Sequence, residues 1–222
     1  MPTLERGDEG ETVYITAAKM LLWFQANEVC CKRDERTRMK TSEEMTSHLL
    51  PFGERPPSDL GVTCTIERPG TILHITFTIQ GSGLSDISIP PPAPAAERRH
   101  RLWEGTCLEC FIAGRKAEAY REFNLSPSGH WNVYHFDAYR CGMREEDAFS
   151  SLPVQVYGNV RALHLSCRID LQTVGLACAD LDVGLAAVLA SKNGKISYWA
   201  TIHARPRPDF HYRESFTHKV DA

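Results

Sequence analysis

The sequence predicts an all-β fold, an antiparallel sandwich, on three observations. Short apolar runs alternate with polar residues at period two, Gly, Pro and Asn punctuate them at regular spacing, and no alternation of strands with helical segments supports a parallel sheet. About nine or ten short strands can be counted in this way. The 222 residues, 42% hydrophobic and 24% charged, suffice for one large all-β domain with an appendage and a core of ordinary size. A formal net charge of -3 provides no basic stripe for nucleic acid.

Residues 1–47 differ from the rest and are read as an N-terminal extension, helical or flexible, before a sandwich domain over 48–222. They hold a weak helical stretch at 16–29 and a charge run at 32–38. Glu5, Asp8, Glu9 and Glu11 stand where an export signal needs positive charge. The apolar patch at 17–26 is broken by Lys19 and Gln25, and a bilayer span needs about 20 apolar residues. The expectation is therefore a cytoplasmic protein with no membrane partner, its eight cysteines reduced. Met39 and Met45 both precede the strand-like region, so the natural start is expected downstream of Met1.

Strand patterning begins at Val62. VTCTIER, the turn Pro69-Gly70 and TILHITFTIQG form a hairpin signal, with Ile72, His74, Thr76 and Thr78 opposite Leu73, Ile75, Phe77 and Ile79. A third apolar run at 84–89 leads into a proline-rich linker at 90–94, which cannot join a central strand. Residues 101–143 organise the chain, since three runs there bring together aromatics and carboxylates. Trp103, Gly105, Cys107, Glu109 and Phe111 share one face of the first run, and Tyr120, Glu122 and Asn124 one face of the second. Pairing of like faces puts Glu109, Glu122 and Asn124 together. The turn at 126–129 precedes the third run, which starts at Trp131. Strands are also read at 154–159 and 162–169, where Leu163, Leu165, Cys167 and Ile169 make the buried face. The apolar run at 184–190, the Asn193-Gly194 turn and the return strand at 196–204 follow. On that strand Tyr198, Ala200 and Ile202 oppose Trp199, Thr201 and His203. A proline-punctuated tail closes the chain with a short edge strand.

LWEGTCLECFI, YREFNLSPSGHWNVYHFDAYRCGM and SYWATIHARPRPDFHYRESF resemble the bacterial DOMON-like proteins grouped with family 9 carbohydrate-binding modules, over residues 48–218. The resemblance implies a β-sandwich that binds a sugar or a haem. It points to Trp103, Glu104, Glu109, Tyr120, Glu122, Asn124, Trp131, Tyr139, Arg140, Trp199, His203, Asp209 and His211 as ligand-binding residues. It also implies a sugar clamped between two tryptophans drawn from Trp103, Trp131 and Trp199.

A non-catalytic ligand-binding module, with a carbohydrate as its small-molecule partner, is the reading that follows. Pyranose C–H faces stack on indole, and carboxylate, amide and guanidinium groups bond its hydroxyls. Alternatives remain open. Glu109 and Glu122 on neighbouring strands would suit a glycosidase pair, although ion pairing alone explains such residues. No cofactor is expected; a haem would need Met143 with His203 or His211, and calcium would need carboxylates near Glu104 and Glu122. Cys107 and Cys110 have CxxC spacing, but on a strand they point to opposite faces. His203, Asp209 and His211 could converge on a cation. A protein-interaction module with no small ligand is the third class.

Overall fold

The computed structural model describes residues 44–54 and 59–222. The extension read at 1–47, its helical stretch and the start-site expectation lie almost wholly outside the described residues. Twelve strands follow one another in the described part: β1 (Met45–Pro51), β2 (Gly61–Glu67), β3 (Ile72–Gln80), β4 (Cys107–Gly114), β5 (Tyr120–Leu125), β6 (Trp131–Phe136), β7 (Arg144–Glu145), β8 (Val154–Gly158), β9 (Ala162–Asp170), β10 (Leu181–Ala190), β11 (Ile196–Ala200) and β12 (His218–Val220). No α-helix occurs among the described residues.

All the strand pairings are antiparallel, and they form two faces of a sandwich. The first sheet has the order β1-β2-β3-β9-β8 and the second β7-β6-β5-β4-β10-β11. β1 joins them, pairing with β2 along its length and with β11 at its end through Leu50↔Ala200 and Pro51↔Trp199. β12 extends the β11 side of β10.

The inward positions make one core. Val62, Cys64 and Ile66 of β2 and Leu73, Ile75, Phe77 and Ile79 of β3 meet Leu108, Cys110 and Ile112 of β4 and Val183, Leu185 and Ala187 of β10. Period two in the sequence thus becomes burial on one side of each sheet. Arg68 closes one end of the sandwich, donating to the carbonyls of Ala179, Ala177 and Asp221.

Three expectations shift. The run at 84–89 is not a strand, because Ser82–Asp86 is a 3-10 turn that buries Leu84 and, three residues on, Ile87. The first run of the organising stretch starts later than Trp103, since Leu102–Glu104 is also a 3-10 turn, entered by Arg101 in the left-handed region (φ 60°). The return strand stops at Ala200 rather than 204, because the chain there leaves the sheet and folds back over it.

Candidate ligand-binding cleft

The outward face of the second sheet is where the charge lies. Register sets Glu109 opposite Asn124 and Phe111 opposite Glu122, so Glu109 and Glu122 are diagonal neighbours. Cys107, Phe111, Tyr120, Tyr134 and Phe136 share that face, and the segment after β11 lays Phe210 and Phe216 across it. Phe216 stands 5.7 Å, ring to ring, from both Phe111 and Tyr120. A side chain at Gly184 would strike it, since a Cβ there would be 2.9 Å from Phe216 Cδ1.

What the tail leaves open is a cleft of about 380 Å³. Its floor includes Glu109, Glu122 and Val188, its aromatic lining Trp103, Phe136, Tyr198 and Phe210, and its polar lining Arg140 and His211. This size falls within the range of small-molecule sites.

The polar groups differ in how they are held. Asn124 Nδ2 donates to Glu122 Oε1 at 2.8 Å, while its Oδ1 accepts from Cys107 Sγ at 3.4 Å. Arg140, left-handed at φ 51°, sits in the turn after β6; its main-chain N donates to Tyr120 Oη at 3.2 Å and its guanidinium to Asp209 at 2.9 Å. Tyr139 also donates to Asp209. Tyr120 Oη lies 2.8 Å from His211 Nδ1. Its proton directed at Nδ1 leaves the imidazole hydrogen on Nε2, which faces Glu122 Oε2 at 3.8 Å. Glu109 is the exception. It is only 3% exposed and has no hydrogen-bond partner among the described residues.

The titration of these groups follows from that burial. Desolvation pushes Glu109 well above the usual carboxylate range, and the neighbouring Glu122 adds to it against the pull of Arg140. Desolvation raises Glu122 to about 7, with the Asn124 hydrogen bond and Arg140 opposing. His211 falls to about 4 through burial first and Arg140 second, so it is neutral at pH 7. Burial also pushes Asp209 up, but the bonds from Tyr139 and Arg140 prevail and hold it low.

Of the residues singled out from the sequence, Trp103, Glu109, Glu122, Arg140 and His211 line this cleft. Asn124, Tyr120, Asp209 and Tyr139 hold them in place. Trp131 (3% exposed) and Trp199 (2%) are turned into the sandwich core, where Arg98 covers the Trp131 ring at 4.5 Å and Ser197 accepts from the Trp199 indole. Among the described residues, therefore, these three tryptophans assemble no two-indole clamp. Their strands alternate, and the outward neighbour on β11 is Tyr198. Glu104 is half-exposed and pairs with Arg101 outside the cleft. His203 bonds the Leu50 carbonyl at 2.8 Å, so His203, Asp209 and His211 each have a separate partner and do not converge on a cation. Cys107 faces outward and Cys110 the core. Sequence reasoning missed Tyr198, Phe136, Val188 and Phe210; parity on their own strands marks the first three.

The sequence matches no protein-family model and no curated protein. In fold the chain is similar to a Bacteroides uniformis ATCC 8492 protein provisionally designated carbohydrate-binding, with a TM-score of 0.57 and 14% identity over 78% of this chain and 84% of that one. Weaker likenesses join it to a family 9 carbohydrate-binding module from Caldicellulosiruptor kristjanssonii. In the glucose complex the TM-score is 0.40 at 9% identity over 68% and 71% of the chains. In the cellotriose complex it is 0.44 at 8% over 73% and 74%. The first likeness is one of fold, an antiparallel β-sandwich, and the weaker two add nothing to it.

Proposed function

We propose that the chain is a non-catalytic carbohydrate-binding module of the DOMON-like kind, with its ligand seated in the cleft over β4 and β5. The observation that carries this reading is Glu109, a buried carboxyl that opens on the cleft without a hydrogen-bond partner among the described residues. Its oxygens are not among the enclosed unpaired atoms and so reach the cleft, where a ligand hydroxyl can take the place of water. Glu122 and Arg140 add an acceptor and a donor, while Trp103 and Tyr198 offer rings for a pyranose face. The designation of the Bacteroides uniformis protein points the same way.

Haem fits poorly. Met143 and His211 both line the cleft, but the His211 ring nitrogens face Tyr120 and Glu122. Calcium fits no better, since Glu104 lies outside the cleft and no group of three His, Cys, Asp or Glu side chains is gathered for a metal among the described residues.

Titration calorimetry with a panel of mono- and disaccharides tests the proposal. Trp103→Ala should weaken a bound sugar about tenfold, the effect of roughly 1.4 kcal/mol of lost stacking; the ring also packs edge-on against Tyr134, so the melting temperature should fall as well and is measured alongside. A panel without any binder would sink it, and a stoichiometric protein partner would then favour the interaction-module reading.

A further inference from the structure

The charge balance of the cleft says more about its ligand than its shape does. Two buried carboxyls, Glu109 and Glu122, face it from adjacent strands. The one guanidinium among its lining residues, Arg140, is already matched by Asp209 at 2.9 Å. His211 shares a 2.8 Å hydrogen bond with Tyr120 Oη through Nδ1 and brings no charge at neutral pH. The remaining titratable groups around the pair, Tyr120, Tyr134 and Cys107, are held protonated by burial. Arg140 attracts both acids but shares its single charge with Asp209, so the two acids outnumber the cations that face them. The walls have the matching property, because Trp103, Phe136, Tyr198 and Phe210 present π-systems, which attract a cation at their faces.

We infer that the ligand of this cleft carries a protonated amine, so that its class is an amino sugar with a free ammonium group and not a neutral hexose. This rests on the carbohydrate reading above and narrows it. The ammonium would lie against Glu109, with Glu122 as its second acceptor and the aromatic lining around it. Three N–H donors suit two carboxylates better than a single hydroxyl does. Without such a ligand the pair retains protons, as buried acids without a counter-charge do. Binding of the cation then releases a proton from the pair, and affinity rises with pH across the range in which the pair ionises. A neutral sugar, bonded by a protonated carboxyl, gains nothing from that rise.

Calorimetry of the full chain with glucosamine, glucose and N-acetylglucosamine at pH 5, 6 and 7 separates these cases. Glucosamine should bind about tenfold or more tightly than glucose at pH 7, and its own affinity should climb about fiftyfold from pH 5 to 7. Measured heats should differ between buffers of different ionisation enthalpy, reporting proton release. N-acetylglucosamine, which keeps the ring and loses the charge, should behave like glucose. Glu109→Gln should abolish the preference for the amine; Glu122→Gln serves if that variant fails to fold, and the pH series on the wild type needs no variant. Equal affinity for the three sugars at every pH would overturn the inference and leave the carbohydrate reading standing. A neutral sugar bound more tightly than glucosamine does the same. If none of the sugars binds, both are overturned.

Discussion

The two sheets turn very different surfaces away from the shared core. On the first, Thr63, Thr65, Thr76 and Thr78 of β2 and β3 stand opposite one another, continued by His164 and Ser166 of β9. All are half-buried, and their contacts are local, such as Thr78 Oγ1 to His164 Nδ1 at 2.9 Å. On the second, Glu109, Glu122 and Asn124 are as buried as the core and lie beneath Phe210 and Phe216. A solvated outer face follows from a half-buried sheet and requires no further explanation. A sheet that buries acids on its outer side, with a tail folded across it, sacrifices stability there, and sites for ligands are where that sacrifice is found.

The tail makes the largest part of this difference. Removing the Phe216 ring should destabilise the protein by about 3–5 kcal/mol, since the ring packs on Phe111 and Tyr120 above Gly184. Urea denaturation of Phe216→Ala measures it. A loss under about 1 kcal/mol would mean that the tail lies loosely on the sheet and that the second face is closer to the first than it looks.

Protonation gives the next largest effect. Glu122 is raised from 4.5 to about 7 in the folded protein, mainly by desolvation. Between those values the native state binds more protons than the unfolded one, so stability falls as pH rises. The contribution is fully present below about 4.5 and lost through 7. Relative to Glu122→Gln, the wild type should lose about 3 kcal/mol between pH 4.5 and 7.5. His211, lowered to about 4, works in the opposite direction between 4 and 6.5, and the comparison with Glu122→Gln removes it because both proteins contain it. Parallel stability curves for the two proteins would show that the carboxyl is not buried as described.

Much of this contrast was legible in the sequence. The hairpin of β2 and β3 and the parity of β4 and β5 follow from period two, and the Glu109, Glu122 and Asn124 face was predicted from that parity. The failures have physical causes. Trp131 and Trp199 follow from the resemblance, which does not report the direction of a side chain, whereas the alternation on β11 sets Tyr198 on the other side from Trp199. Local pattern also does not say which of two faces of a strand meets solvent when both are buried, as along β10, uncharged from Val183 to Ala190. The path of residues 201–217 over the second sheet has no local signal, since Phe210 and Phe216 act through contacts with residues far away in sequence. The burial of β1 does alternate, but inward Ser47 and exposed Leu50 hide that alternation from the apolar–polar pattern of the sequence.

The smallest effect is the sharpest comparison between the faces. Thr76→Val, on the first sheet, replaces a half-buried hydroxyl that makes no side-chain hydrogen bond among the described residues, and it keeps the β-branched shape suited to the strand. It should change stability by less than about 0.5 kcal/mol. Asn124→Leu, a change of similar volume on the second sheet, strips Glu122 of its donor and Cys107 of its acceptor inside a closed surface. The cost there is the desolvation of groups left unpaired, about 1–3 kcal/mol. It should shrink at low pH, because a protonated Glu122 depends less on the amide. Denaturation of both variants at pH 5 and pH 7 decides the point. If Thr76→Val costs as much as Asn124→Leu, the first sheet also carries a buried polar network, and the asymmetry on which the cleft is identified disappears.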